Sequence, residues 1–316
     1  MLAAIKSMVV IGAGTMGPGI AQIFAQSGLE VTLVDIDNKI LDTAVARIKE
    51  QLKNFQDGGV LDAKKVNETI ARLKTSTNLA EAVKNVDYVI EAAPEKLELK
   101  KSIFKTLGEN APEHAILATN TSGFKISEFA AMTSRKEKVL GVHFYNPPHL
   151  VPLVEIIRTE HTSDAVVDES VVILKNAGKA PVKLMDVPGF LHNRLIYALL
   201  REAVSMVENK VTTVEDVDIV VREAFGPRFT EVGLFGLVDL VGLDIYNAVS
   251  TYLNKDLSNT PQPSKWVGEK VAKGELGVKS GKGFYSWTPE KIAQVRKRLA
   301  DQMIARIKRG MSPGLS

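Results

Sequence analysis

The chain has no cysteine among its 316 residues. That excludes disulfides, thiolate metal sites and a cysteine nucleophile, and it suits a reducing compartment. The five histidines, at positions 114, 143, 149, 161 and 192, show no i, i+4 pairing, so no metal site is expected. Apolar runs are short, and none approaches the roughly 18 residues a membrane helix needs. Charge is close to balance, with 40 Lys and Arg against 37 Asp and Glu, and a net +3 by itself argues for no nucleic-acid partner. Internal repeats and low-complexity tracts are missing. Met1 to Lys6 is too short for a signal peptide, and a cytoplasmic location is expected. What is left, 45% hydrophobic and 24% charged residues, is the composition of a soluble globular protein with room for two domains.

Near its start the chain reads Val9-Val10-Ile11-Gly12-Ala13-Gly14-Thr15-Met16-Gly17, and a second apolar run, residues 31–34, leads to Asp35. An apolar strand, a glycine-rich turn, a helix, another strand and an acid form the layout of a dinucleotide-binding βαβ unit. Gly12 permits the tight turn, Gly14 lets backbone approach a pyrophosphate, and Gly17 lets the helix pack on the sheet. The helix that starts beyond Thr15 and Met16 offers free N–H groups and partial positive charge to phosphates. Gly12, Gly14, Thr15, Met16, Gly17 and Asp35 are therefore cofactor-binding candidates. The Asp35 carboxylate can accept from a ribose 2′-hydroxyl and would repel a 2′-phosphate. Ile36 and Asp37 follow it with no arginine, so NAD is expected rather than NADP.

Strand-like and helix-like segments alternate up to about residue 186. Strands are expected at 31–34, 88–93, 115–119, 139–144, 154–157 and 180–185, and helices at 38–55, 63–73, 97–107 and 164–177. Such alternation predicts an α/β fold, a Rossmann-type doubly wound and mostly parallel sheet. The strand pair flanking Pro147-Pro148 predicts a far edge that turns antiparallel. Asp186-Val187-Pro188-Gly189 is a breaker cluster. It divides the chain into an NAD-binding domain, 1–186, and an all-helical substrate and dimerisation domain, 187–316. Helical patterning covers 193–208 and 214–224, and apolar residues crowd 232–243 and 245–253. Domains of this kind carry more apolar surface than one chain buries, so a homodimer is expected. Near the C-terminus Ile292, Val295, Leu299, Met303, Ile304 and Ile307 recur among basic residues. That pattern predicts an amphipathic helix with a solvated basic face, a nucleic-acid or acidic-lipid surface being the other reading.

His143 lies at the carboxyl end of an expected strand, the edge where open α/β sheets gather ligands and catalytic groups. Glu155 sits in the next strand, and a hairpin of that length can bring the two side chains together. A carboxylate beside an imidazole raises its pKa and fixes which nitrogen carries the proton, as a general base for alcohol oxidation requires. On spacing alone, a strand-end histidine and an edge acid with no such link fit equally well. Thr119-Asn120-Thr121-Ser122-Gly123 presents short polar side chains at the same edge, and Asn193 stands at the start of the first helix after the boundary.

Together these segments resemble the L-3-hydroxyacyl-CoA dehydrogenase family. The stretches that carry the resemblance are GAGTMGPGIA (12–21), VDID (34–37), EAAPEKLELKKSIF (91–104), ATNTSG (118–123), GVHFYNPPHLVPLVEII (141–157), DVPGFLHNRL (186–195) and GVKSGKGFY (277–285). The resemblance implies His143 as catalytic base, Glu155 as its orienting partner, and Ser122 and Asn193 as groups that hold the reacting oxygen and carbonyl of the substrate. It implies Glu95, Lys100 and Asn146 at the nicotinamide end of NAD. The implied reaction interconverts the 3-hydroxyl of a short-chain 3-hydroxyacyl-CoA, such as hydroxybutyryl-CoA, with a 3-ketone. Two segments depart from the family. The turn where CoA phosphates meet lysines reads Asn54-Phe55-Gln56-Asp57-Gly58-Gly59-Val60, with Lys53 as its base. The family's Gly-Pro-Phe-Glu-Leu is Gly233-Leu234-Phe235-Gly236-Leu237 here. Relatives that oxidise free acids (gulonate, carnitine and a pyridine carboxylate from vitamin B6 breakdown) supply the alternative, the last resembling the Asn-Pro-Pro-His turn and residues 242–246. A non-catalytic NAD-binding protein is the remote third reading, and it would fit a chain that had lost His143 or Glu155.

Overall fold

A computed structural model describes residues 5–310, which form two compact units parting between His192 and Asn193. The first unit is built on eight strands: β1 (Ser7–Ile11), β2 (Glu30–Val34), β3 (Leu73–Ser76), β4 (Tyr88–Glu91), β5 (Ile116–Thr119), β6 (Val139–Phe144), β7 (Leu153–Arg158) and β8 (Ala180–Met185). They lie in the order β3-β2-β1-β4-β5-β6-β7-β8. All neighbours are parallel except β6 and β7, which run antiparallel across the Pro147-Pro148 turn. Strands β4, β5 and β6 are buried along their whole length, as parallel strands covered on both faces must be.

Seven helices cover the sheet: α1 (Gly17–Gln26), α2 (Asn38–Asp57), α3 (Ala63–Ala71), α4 (Leu79–Ala82), α5 (Leu97–Asn110), α6 (Ile126–Ala130) and α7 (Asp164–Asn176). α1, α2 and α7 share one hydrophobic core, and α5 and α6 contribute to the other. α2 shows why: Leu41, Ala44, Ile48, Leu52 and Phe55 are its buried residues, a single stripe at helical spacing. Asp37 starts that helix by accepting from the Lys39 N–H at 2.7 Å. The chain winds from β1 through β2 to β3, then returns to place β4 on the other side of β1. That reversal opens a crevice above the carboxyl ends of β1 and β4, where doubly wound folds bind ligands.

The helix expected over 63–73 stops at Ala71, and Leu73 opens β3. This strand has no apolar run to announce it, because it is an edge strand whose Lys74 and Thr75 face water. The first unit also runs past 186, since the backbone of Leu191 and His192 is bonded to Glu155.

The second unit is helical, with α8 (His192–Glu208), α9 (Val214–Val220), α10 (Gly226–Val241), α11 (Leu243–Asp256), α12 (Lys265–Ala272) and α13 (Pro289–Arg309). A π-helical turn, Val221–Phe225, joins α9 to α10, and Gly233 (φ +72°) kinks α10. Polar tethers hold the helices: Glu202 accepts from the Ser258 N–H at 2.6 Å, Glu208 from Ser264 Oγ at 2.8 Å, and Asp218 from Tyr285 Oη at 2.8 Å. Among its described helical residues only Gly236 is fully buried. Phe235 is 83% exposed, Leu240 73% and Tyr197 70%.

Candidate active site

The crevice is a cleft of about 690 Å³ floored by the ends of β1, β2, β4 and β5. Gly12, Gly14, Thr15, Met16, Asp35, Glu95 and Ser122 all line it. Gly12 donates its N–H to Val34 O at 2.7 Å, and Ala13 donates to Asp35 Oδ2 at 2.7 Å. Arg47 on α2 reaches Gly14 O at 3.0 Å. The glycine turn is thus tied to the end of β2 and to α2, so its shape is set by the fold. A Cβ on Gly14 would meet no protein atom within 4 Å, which leaves backbone open to the cleft. A Cβ on Gly17 would lie 1.8 Å from Gly12 O, so that glycine serves close packing and does not itself line the cleft. α1 begins with no acid in its first turn and no side-chain cap, so its N–H groups are open to an anion.

Asp35 bonds two backbone N–H groups, Ala13 through Oδ2 and Ile36 through Oδ1, each at 2.7 Å. A carboxylate has about four lone-pair sites, so both oxygens can still accept from ribose hydroxyls. A 2′-phosphate would meet this carboxylate with no cation on the two residues that follow. The donor set fits NAD.

Lys100, which the resemblance implies at the nicotinamide end of NAD, is turned inward. It is 1% exposed and does not line the cleft. Its ammonium bonds both oxygens of buried Glu91, at 2.8 and 2.9 Å, and pairs with Glu95 Oε2 at 3.2 Å. Glu91 also accepts from Thr119 Oγ1 and the Ala93 N–H, both at 2.7 Å. Glu95 Oε1 in turn accepts from Thr121 Oγ1 at 2.5 Å and from the Ser122 N–H at 3.1 Å. Lys100 therefore joins buried Glu91 to Glu95, and Glu95 bonds the loop that presents Ser122. Sequence reasoning passed over Glu91, the buried centre of this network, although an acid closing an otherwise apolar strand was its signal.

His143 and Glu155 face each other in the β6–β7 register. His143 Nδ1 lies 3.0 Å from Glu155 Oε2, and both side chains are buried. Tyr145 Oη donates to the same Oε2 at 2.6 Å. The Leu191 and His192 N–H groups donate to Oε1 at 2.9 and 2.8 Å. Burial alone would raise the Glu155 pKa. The bonds from His143, Tyr145, His192 and Leu191 outweigh it and hold the carboxyl down at about 2. An ionised Glu155 fixes the Nδ1–H tautomer, which leaves Nε2 as the proton acceptor of the ring. The ring is boxed in by Tyr145 (centroids 4.6 Å apart) and Phe190 (5.5 Å). Phe190 is buried in the left-handed region (φ +53°), a conformation costing about 1–3 kcal/mol that persists at over-determined sites. It immediately precedes the two N–H groups that bind Glu155. The open question of spacing resolves here as a linked pair.

Asn146 is exposed on the turn after β6 and does not line the cleft. Ser122 stands exposed on its rim. Asn193 is the second residue of α8 and opens the second unit. Sequence reasoning missed Tyr145, although it lies two residues from His143. Asn120, one of the short polar residues expected at this edge, accepts from the Phe144 N–H at 2.8 Å through its Oδ1 and ties the ends of β5 and β6 together.

Two family models match the chain: the 3-hydroxyacyl-CoA dehydrogenase NAD binding domain over residues 7–187, and the C-terminal domain of the same family over 189–287. The 5-formyl-3-hydroxy-2-methylpyridine 4-carboxylate 5-dehydrogenase of Mesorhizobium japonicum is 35% identical over 305 residues, 95% of this chain and 97% of that protein. The probable 3-hydroxybutyryl-CoA dehydrogenase of Bacillus subtilis is 36% identical over 284 residues, 90% of this chain and 98% of that one. Among solved structures, a 5-formyl-3-hydroxy-2-methylpyridine 4-carboxylic acid 5-dehydrogenase, an NAD+ dependent dismutase, is 34% identical with a TM-score of 0.88 and coverage of 96% and 98%.

Proposed function

Because the chain belongs to the 3-hydroxyacyl-CoA dehydrogenase family, we propose that it interconverts a short-chain 3-hydroxyacyl-CoA with its 3-ketoacyl-CoA, using His143 as the general base. It is an NAD-dependent oxidoreductase by family. The observation that carries the assignment of the base is the His143 Nδ1 to Glu155 Oε2 bond inside a buried, fully bonded carboxylate site.

NAD, when bound, supplies the acceptor for the hydride. The glycine turn and the N-terminus of α1 would hold its phosphates and Asp35 its adenosine ribose, and Glu95 lies on the wall of the same cleft. In oxidation, His143 Nε2 takes the hydroxyl proton, and the imidazolium that results is stabilised by Glu155 at its other nitrogen. In reduction the same imidazolium returns the proton to the new alkoxide oxygen. Ser122 and Asn193 are proposed to hold the reacting oxygen and the neighbouring carbonyl. The proposal extends to a homodimer, supported by the exposed apolar residues of the second unit. It also extends to a cytoplasmic location, supported by the cysteine-free composition.

One observation favours a second reading, the same chemistry on a small free hydroxy-carboxylic acid. The base in the turn that would greet CoA phosphates, Lys53, is paired with Asp57 at 2.8 Å, so the turn offers a polyanion no free cation. The pyridine carboxylate relative shares this chain's full-length match. Oxidation of NADH by acetoacetyl-CoA, measured beside acetoacetate and a panel of aromatic and aliphatic keto or formyl acids, separates the two. Turnover of the thioester supports the first reading; silence with the thioester and turnover of a free acid replaces it with the second.

A further inference from the structure

Glu155 Oε2 serves two donors. His143 Nδ1 approaches it at 3.0 Å and Tyr145 Oη at 2.6 Å, so the phenol has the closer contact. The other oxygen is taken by the Leu191 and His192 N–H groups. The Tyr145 ring lies edge-on to His143 and packs on His192, with centroids 4.6 and 4.5 Å apart. On the far side of β7, Glu155 is in register with Val182 of β8, which carries no charge. Among the described contacts of the pair within the first unit, the titratable side chains are Tyr145, which bonds Glu155, and His192, whose ring packs on Tyr145.

We propose that Tyr145 is a positioning residue that shares the Glu155 carboxylate with His143 and so sets the pH at which His143 takes up its proton. Three of the four bonds to Glu155 come from neutral donors that stay in place whatever His143 does. Each draws charge from the carboxylate and weakens its hold on an imidazolium. The backbone pair is common to any residue at 191 and 192, whereas the phenol depends on one side chain. Its bond falls on the oxygen that His143 uses, so it competes directly. The burial that accompanies these bonds pushes the phenol well above its ordinary range, so it remains a donor at every working pH.

The inference rests on His143 as the base, and its test is chosen to stand apart from that assignment. Histidine-selective NMR titration of the whole chain follows the ring of His143, identified by its loss in His143→Gln, in parent and in Tyr145→Phe. Phenylalanine keeps the ring contacts and removes only the hydroxyl. The His143 midpoint should rise by about half a pH unit or more, roughly threefold in proton affinity. The acid limb of oxidation should rise with it. His192→Gln, run in both backgrounds, should leave this difference in place. A separate arm keeps Tyr145 and strengthens its donation by incorporating ring-fluorinated tyrosine, which should lower the midpoint. An unchanged or lowered midpoint in Tyr145→Phe overturns the inference, as does an unmoved midpoint with fluorotyrosine. Failure of the assignment of His143 as base has its own sign, full turnover in His143→Gln.

Discussion

A histidine works as a base when one of its nitrogens is already committed, and Glu155 makes that commitment for His143. Replacing His143 by Gln removes the acceptor and leaves the cofactor cleft intact. Turnover should fall by about 10²–10⁴-fold, with NADH affinity unchanged in a fluorescence titration; equal turnover would remove His143 from the role. Glu155 also links the site to acid stability. Its pKa is held at about 2 against an ordinary 4.5, a depressed value, so its contribution is present above the ordinary value and is lost as pH falls towards about 2. Urea midpoints should therefore decline across that window in the parent. In Glu155→Gln that part of the slope should vanish, and stability near neutral pH should be lower.

The turn into α1 makes different demands on Gly17, the first residue of the helix, and on Gly14, which precedes it. A methyl on Gly17 would collide with the Gly12 carbonyl, a backbone atom with no room to yield. Gly17→Ala should therefore lower the thermal midpoint and NAD affinity together. A methyl on Gly14 would meet no protein atom and would project where backbone is open to the cleft. Gly14→Ala should leave the thermal midpoint of the unliganded protein nearly unchanged and weaken NAD by calorimetry. If both variants lose stability equally, the division between packing glycine and ligand-facing glycine is wrong.

At the scale of the molecule, the two units differ in how they bury their chains. The first encloses two cores on the faces of its sheet, while the second leaves Phe235, Leu240 and Tyr197 largely in water. Apolar exposure of that extent on a helical unit is what supports the proposed homodimer, in which a second copy would supply the covering surface by symmetry. Sedimentation should give twice the 34.4 kDa chain mass, and Phe235→Glu with Leu240→Glu should shift it towards the single-chain value. A parent that sediments as a single chain would refute the homodimer.

The amino-acid sequence alone was enough to identify the glycine turn, Asp35, the alternating sheet and the antiparallel edge at Pro147-Pro148. Each is local: a turn that only glycine allows, an apolar run bounded by breakers, a proline pair that closes a hairpin. It also brought His143 and Glu155 within reach of each other, because a hairpin makes neighbours of residues close in sequence. β3 escaped notice because an edge strand half in water has no apolar pattern. The inward turn of Lys100 towards Glu91 depended on burial, which spacing does not encode. Tyr145 and the backbone of Leu191 and His192 reach Glu155 only because β6, β7 and the segment after β8 converge on one carboxylate. Types and periods of residues belong to the chain; which donors share an acceptor belongs to the fold, because that is settled by distances between segments far apart in sequence.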